Sequence, residues 1–214
     1  MVQGKIRLKF QKTGKLRFIS HLDLVRTMKS AFVRAGIPIY YSEGFNPHPK
    51  MVFSLPLSLG CESFYEFMDI KLNSPMKKET LLKLLNDSFT SDLRFLEVYT
   101  PTTDFNDIGA SLYEIRILDD IDLTKLKDAF KNPLVVTKKS KKGMIDVDLH
   151  PNVKNCRIVK TGKEINIKCL LSAKPDSYVN PEHLIKALSE AVGGIFDYYI
   201  TRLTVYHQNG EEFR

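Results

Sequence analysis

The stretch KIRLKFQKTGKLRFISHLDLVRTMKSAFVRAG, from Lys5 to Gly36, changes its apolar period part-way along. From Lys5 to Phe10 the residues alternate strictly, with Ile6, Leu8 and Phe10 on one side and three cations on the other, which predicts a half-buried strand. Lys15-Leu16-Arg17-Phe18 resumes the alternation after Thr13-Gly14, so two strand segments are expected to present an exposed cationic row. Ser20 then has the character of a helix N-cap, with Asp23 three residues on as its capping-box partner. Leu24, Val25, Met28, Ala31, Phe32 and Ala35 follow at helical spacing until Gly36 and Pro38 end the element.

Beyond this strand and helix, a loop rich in proline, glycine and aromatics runs from Tyr40 to Lys50. Met51–Leu55 and Phe64–Leu72 are expected to be strands, and Pro75 to open a second helix bearing Leu81, Leu82, Leu85 and Phe89. Leu93–Tyr99 closes the half as a strand. The order of strand, helix, two strands, helix and strand is that of a split βαβ, or ferredoxin-like, unit. Residues 101–111 lack any period and suggest a linker. After it the order recurs, with a helix capped by Asp122, a hairpin turning at Thr161-Gly162 and a helix from Asn180-Pro181 to Gly193-Gly194. The expected architecture is α+β: tandem ferredoxin-like domains over 1–100 and 112–214, with antiparallel sheets and helices on one face.

The charge is unevenly placed. Among the first 60 residues ten lysines and arginines face two carboxylates, whereas the remainder holds 22 cations against 23 anions, so the whole net charge of +7 originates in the first segment. A polyanion such as RNA is the partner that this segment suggests; a solvated basic face is the plainer reading. No run approaches the roughly 18 apolar residues of a membrane span. The start, MVQGKIRLKF, lacks the apolar core of a signal peptide, so a cytoplasmic location is expected. Cys61, Cys156 and Cys169 are too widely spaced for a disulfide framework or a metal ligand set and are expected to be buried thiols.

The candidate site gathers about the loop. His21 stands in the first turn of a helix with Asp23 beside it and Arg26 about one turn away, where an anion or acid–base chemistry is favoured; alternatively Asp23 only caps and His21 packs on the following loop. Tyr40, Tyr41, Phe45 and His48 suit stacking on unpaired bases while Lys15, Arg17 and Lys50 hold phosphates, or else some of these rings enter the core. Asn46 reads as a turn former. Asp146, Asp148 and His150 share one strand face, either as ligands of a divalent metal or as a solvated surface. The run from Lys138 to Lys142 has the form of a hairpin tip or an auxiliary RNA contact. No phosphate-binding or dinucleotide fingerprint is present.

Three motifs, KTGKLRFISHLDL (Lys12–Leu24), FVRAGIPIYYSEGFNPHPK (Phe32–Lys50) and FSLPLSLGCES (Phe53–Ser63), closely resemble the radical-SAM-linked (radical SAM-associated) bacterial protein family, whose function is unknown. The resemblance runs over most of the chain and weakens after the linker. It implies an accessory subunit of a radical SAM enzyme. The chain lacks the three closely spaced cysteines of a radical SAM cluster, so the iron–sulfur cluster and S-adenosylmethionine are expected on a partner and no cofactor on this chain. The tandem arrangement with a loop-borne histidine is also similar, in fold alone, to CRISPR repeat-processing endoribonucleases. Three functions follow as expectations: an RNA-binding accessory subunit that recognises structured RNA (tRNA or rRNA) through Lys15, Arg17, His21, Arg26, Tyr41, Phe45, His48 and Lys50; a metal-independent endoribonuclease using His21 or His48; and a docking module for the radical SAM protein without RNA contact.

Overall fold

Ile6, Leu8 and Phe10 are all fully buried, so the alternation at the start of the chain does define an inward face. The computed structural model describes residues 2–140 and 143–214; Lys141 and Lys142 of the lysine run lie outside the described residues. The chain is a mixed α+β protein whose strands pair mainly antiparallel, with four α-helices among the described residues. It divides into two units, Met1–Phe105 with Arg214, and Asn106–Phe213.

The first unit consists of β1 (Val2–Lys12), a 3-10 turn (Gly14–Phe18), α1 (His21–Arg34), β2 (Met51–Phe53), β3 (Cys61–Met76), α2 (Lys78–Asp87) and β4 (Leu93–Tyr99). In space the strands run β4-β1-β3-β2, every pairing antiparallel. Both helices bury their apolar side on the same sheet face: Leu24, Met28 and Phe32 from α1 and Leu81 and Leu85 from α2 join Ile6, Leu8, Phe10, Met68, Ile70 and Leu72 in one core. Each such side chain contributes about 1.5–3 kcal/mol by leaving water. Helix α1 ends where expected. The Gly36 N–H reaches the Val33 carbonyl at 3.1 Å and the Ile37 N–H reaches Phe32 at 3.1 Å, a Schellman closure that needs the left-handed conformation Gly36 adopts at φ 64°.

Three expectations for this unit are corrected. Lys15–Phe18 is not a strand: Gly14, at φ 57°, turns the chain into a 3-10 helix whose Leu16 N–H bonds Thr13 O at 3.2 Å. Pro75 does not open α2 but lies near the end of the long β3, and the helix starts three residues later at Lys78. The exposed cationic row is also absent. Arg7 is fully buried: its Nε donates to Asp69 Oδ1 at 2.7 Å and its Nη2 to Oδ2 at 2.9 Å, while Nη1 donates to Thr103 Oγ1 at 2.9 Å and the Phe105 ring lies 4.2 Å from the guanidinium carbon. Lys9 reaches Glu97 at 3.4 Å and stands 3.8 Å over the Tyr65 ring, and Lys5 lies 3.2 Å from Asp69. The cause is register. Asp69 on β3 is the direct partner of Arg7, and Glu97 on β4 is the partner of Lys9, so each cation meets an acid that alternation within β1 does not show.

The second unit contains β5 (Ile108–Ile117), α3 (Leu123–Ala129), β6 (Val135–Ser140), β7 (Gly143–Asp148), β8 (Val153–Thr161), β9 (Glu164–Ser172), α4 (Pro181–Val192) and β10 (Tyr198–His207). Its strands run β10-β5-β9-β8, all antiparallel, and β6 with β7 forms a separate hairpin placed between α3 and β8. The caps read from sequence are present: Asp122 accepts from Thr124 N at 2.8 Å and Asn180 from Glu182 N at 2.9 Å, and Gly193 at φ 81° ends α4. Strand β5 begins at Ile108, inside the segment 101–111 that lacks a visible period. Gly109 explains the difference. A Cβ there would sit 2.6 Å from Gln208 Cα, so close backbone approach demands a residue that breaks the apolar pattern. Cys61 and Cys169 are buried, but Cys156 is exposed. No helix among the described residues is long and apolar enough to cross a membrane.

Replacing Asp69 by Asn is expected to destabilise the protein by about 3–5 kcal/mol, because it strands a buried guanidinium, whereas the double change Arg7→Met with Asp69→Leu recovers most of that loss. Urea unfolding followed by far-UV circular dichroism measures both.

Candidate functional site

The motif residues form two groups along α1. At its N-terminal end Ser20 Oγ accepts from Asp23 N at 3.1 Å and donates to Asp23 Oδ2 at 2.7 Å, while Arg26 Nη1 donates to Asp23 Oδ1 at 3.1 Å. Asp23 thus caps the helix and engages Arg26. The Ser20 hydroxyl, and after it Arg26, holds the Asp23 carboxyl below its ordinary value. His21 stands edge-on to Phe53, ring centroids 5.0 Å apart at 83°. Nearby, Lys15 N is anchored on Asp92 Oδ2 at 3.0 Å, and Arg17 lies 3.8 Å from Glu62 and 4.6 Å over the Phe18 ring. Phe18 and Leu22 expose 61% and 66% of their surface beside these charges, as does Leu59 at 60%.

Under this end of α1 lies a cavity of about 10 Å³, room for about one water, lined by Lys12, Ser20, His21, Phe53 and Glu66 among others. Lys12 and Glu66 are 3% and 5% exposed, and Lys12 Nζ donates to Leu16 O at 3.2 Å. Neither residue is among the candidates that the sequence motifs suggest. The signal was present: Lys12 extends the inward parity of Ile6, Leu8 and Phe10, and Glu66 that of Met68, Ile70 and Leu72.

The second group is the loop. Tyr40 N bonds Lys71 O at 2.7 Å and Lys50 N bonds Tyr40 O at 2.9 Å, which fastens both loop ends. Between them Ser42 N donates to His48 O at 2.9 Å and His48 N to Ser42 Oγ at 3.1 Å, with His48 Nδ1 2.9 Å from the same hydroxyl. Gly44 at φ 121° makes the tip. Tyr40 packs under Lys71, whose Nζ is 4.3 Å from the ring, so this aromatic is half-buried, neither fully exposed nor in the core. Phe45 points the other way and is completely exposed, at 112% of its reference surface. Tyr41 shares with Lys29, Ser30, Val33, Arg34 and Pro49 a shallow depression of about 440 Å³. Lys29 and Arg34 were not singled out from the sequence, where they read only as the polar side of a helix.

The structure therefore does not bring all eight sequence candidates together. Lys15, Arg17, His21 and Arg26 belong to the N-terminal group, and Tyr41, Phe45, His48 and Lys50 to the loop by the C-terminal half of α1. A helix of 14 residues separates its ends by about 20 Å. In the second unit Asp146 accepts from Thr137 Oγ1 at 2.7 Å, Asp148 from Leu134 N at 2.8 Å and from His150 N at 2.9 Å, and His150 Nε2 lies 3.0 Å from Phe130 O. These three groups brace the β6–β7 hairpin and its exit, and His150 has left the strand for a 3-10 turn. Among the described residues no cluster of three or more His, Cys, Asp or Glu side chains is placed to hold a metal.

Residues 5–181 match the model of a family described as uncharacterized proteins conserved in bacteria, DUF2344, and the chain belongs to that family. No curated protein matches it. Among solved structures it is similar to a chain of a Cbf5–Nop10–Gar1 complex at 9% identity and a TM-score of 0.48; the match covers 95% of this chain and 49% of the other, so this chain spans about half of that one. It is also similar to an unknown protein from Galdieria sulphuraria, at 7% identity and TM-score 0.28 with 93% and 98% covered. A putative glycine cleavage system transcriptional repressor is similar at 12% identity and TM-score 0.26, with 94% and 99% covered.

Replacing Ser20 by Ala removes the N-cap and is expected to cost about 1 kcal/mol of helix stability. Because the folded Asp23 titrates below its unfolded value of 3.8, its contribution is present above that pH and is lost as the pH falls through the folded value. In the Ser20→Ala variant the Asp23 titration, followed by carboxyl NMR, moves up toward the ordinary value; an unmoved titration refutes the assignment of the hydroxyl as its main cause.

Proposed function

We propose that the first unit binds single-stranded segments of a structured RNA through the loop Tyr40–Lys50 and the C-terminal half of α1, as an accessory subunit to a radical SAM enzyme. The observation that carries the reading is Phe45: a fully exposed aromatic ring on a loop held by backbone and side-chain hydrogen bonds at both ends and across its neck. An ordered ring left in water is disfavoured in the free protein and is suited to stacking on an unpaired base. Lys29, Arg34 and Lys50 surround the loop and, among the described residues, have no carboxylate partner, so they are available to phosphates. Lys5, Arg7 and Lys9 are not, since acids of β3 and β4 engage them. The strand order β4-β1-β3-β2 in the first unit, repeated as β10-β5-β9-β8 in the second, supports reading each as a ferredoxin-like unit and the chain as a tandem pair.

The link to a radical SAM enzyme rests on the motif resemblance. In that arrangement the cluster and S-adenosylmethionine belong to the partner protein. The exposed Phe18, Leu22 and Leu59 at the other end of α1 favour a protein contact there, which makes partner docking the second reading for the N-terminal group. Catalysis by His21 or His48 has less support, because each is engaged locally, His21 edge-on to Phe53 and His48 against the Ser42 hydroxyl.

Fluorescence anisotropy with a labelled single-stranded RNA oligonucleotide tests the reading. Phe45→Ala is expected to weaken binding about tenfold, a stacking contribution of about 1–3 kcal/mol. The double change Lys29→Glu with Arg34→Glu should weaken binding to every sequence and flatten the salt dependence by roughly two counterions. Binding that ignores salt, or survives both variants, overturns it. Capture of a radical SAM partner that withstands nuclease and fails with Leu22→Asp supports docking at the N-terminal group.

A further inference from the structure

A cavity of about 490 Å³ opens on the second unit's sheet, away from its buried face. Strand register assembles it. Tyr206 pairs with Ala110 and Ala110 with Ser172, and Leu112 pairs with Leu170, which in turn pairs with Lys154. Cross-strand partners share a face, so these residues form one floor, while Ile115, Ile117, Ile165 and Ile167 point into the core. Ala110, Leu112 and Leu170 make its centre apolar, with the Tyr206 ring at one side.

The rim has a different chemistry. None of the fourteen residues lining the cavity is acidic, yet Lys154 and Lys174 both are among them. Among the described residues neither lysine has an ion-pair partner, and the side-chain amides of Asn152 and Asn155 have no hydrogen bond. Asn155 is also the one non-glycine residue with a positive φ among the described residues, at 53°. It sits where the β8–β9 register shifts between Lys154 and Arg157. Successive residues of a regular strand face opposite ways; this bulge lets Lys154 and Asn155 line the same cavity. Asparagine tolerates this left-handed conformation, so the bulge forms there at little cost.

We propose that this cavity binds a nucleoside phosphate. The base lies on Leu112, Leu170 and the Tyr206 ring, its edge meets the amides of Asn152 and Asn155, and the phosphate is held by Lys154 and Lys174. The volume falls in the range of small-ligand sites, about 300–1,000 Å³. An apolar floor selects a flat organic body, unpaired lysines select an anion, and amides with both donors and acceptors suit the edge of a heterocycle. All of these residues belong to the second unit, so the proposal stands apart from the RNA reading of the first.

Isothermal titration of the full chain with each ribonucleoside monophosphate, the corresponding nucleosides and inorganic phosphate tests it. At least one monophosphate is expected to bind saturably, with a Kd between about 10 μM and 1 mM. Its nucleoside and phosphate alone should each be weaker by about tenfold or more, as should the monophosphate toward Lys154→Glu with Lys174→Glu. Amide resonances of Leu112, Leu170 and Asn155 should shift on addition of the nucleotide, a readout that needs no variant. Absence of saturable binding by all four monophosphates, phosphate binding as tight as the nucleotide, or shifts that map to another surface overturns the proposal. A short oligonucleotide that binds the same residues more tightly than its monomer supports the site and identifies a strand residue as its source.

Discussion

The bidentate pair of Arg7 with Asp69 constrains the first unit more than any other contact. A guanidinium with no solvent exposure tolerates little change: both carboxylate oxygens, the Thr103 hydroxyl and the Thr103 carbonyl at 3.0 Å must stay in place. Those partners come from two separate parts of the chain, β3 and the segment after β4. Satisfying them fixes the β1–β3 register and draws the segment after β4 back across the sheet, with Phe105 against the guanidinium. A slip of one residue would bury an unpaired charge and turn Ile6, Leu8 and Phe10 out of the core.

This pairing changes what the positive charge of the first 60 residues means. Charge counted along a sequence measures what a segment carries and not what it offers to a ligand. Once Lys5, Arg7, Lys9 and Arg17 lie beside Asp69, Glu97 and Glu62, the available cations are Lys15 and those on α1 and its following loop. The field that a polyanion would meet is therefore narrower than the net charge suggests, and it is centred on Lys29, Arg34 and Lys50. Phe45 is held out in solvent for a backbone reason: Gly44 takes a conformation that a side chain rarely adopts, and the Ser42–His48 bonds close the neck.

The two groups on α1 show how a continuous motif divides in space. Sequence proximity groups His21, Arg26, Tyr41 and His48 into one candidate site, but a helix of about four turns lies between its two ends. Each end acquires its own surroundings, apolar and capped at Ser20, cationic and aromatic at Arg34. A single ligand that touched both ends would have to be extended, as a nucleic-acid strand or a protein surface is.

Much of this protein was legible from residue order alone. Period two marked β1 and period 3.6 marked α1, and Ser20, Gly36, Asp122, Asn180 and Gly193 punctuate helices where their side chains or left-handed backbone make them do so. These are local effects, settled within a few residues. Tertiary structure alone decided the fate of Arg7, the start of β5 beside Gly109, and the cavity that four strands assemble around Asn155. Each depends on which residue of a distant strand comes to lie opposite, and a side chain's own neighbours in the chain carry no record of that partner.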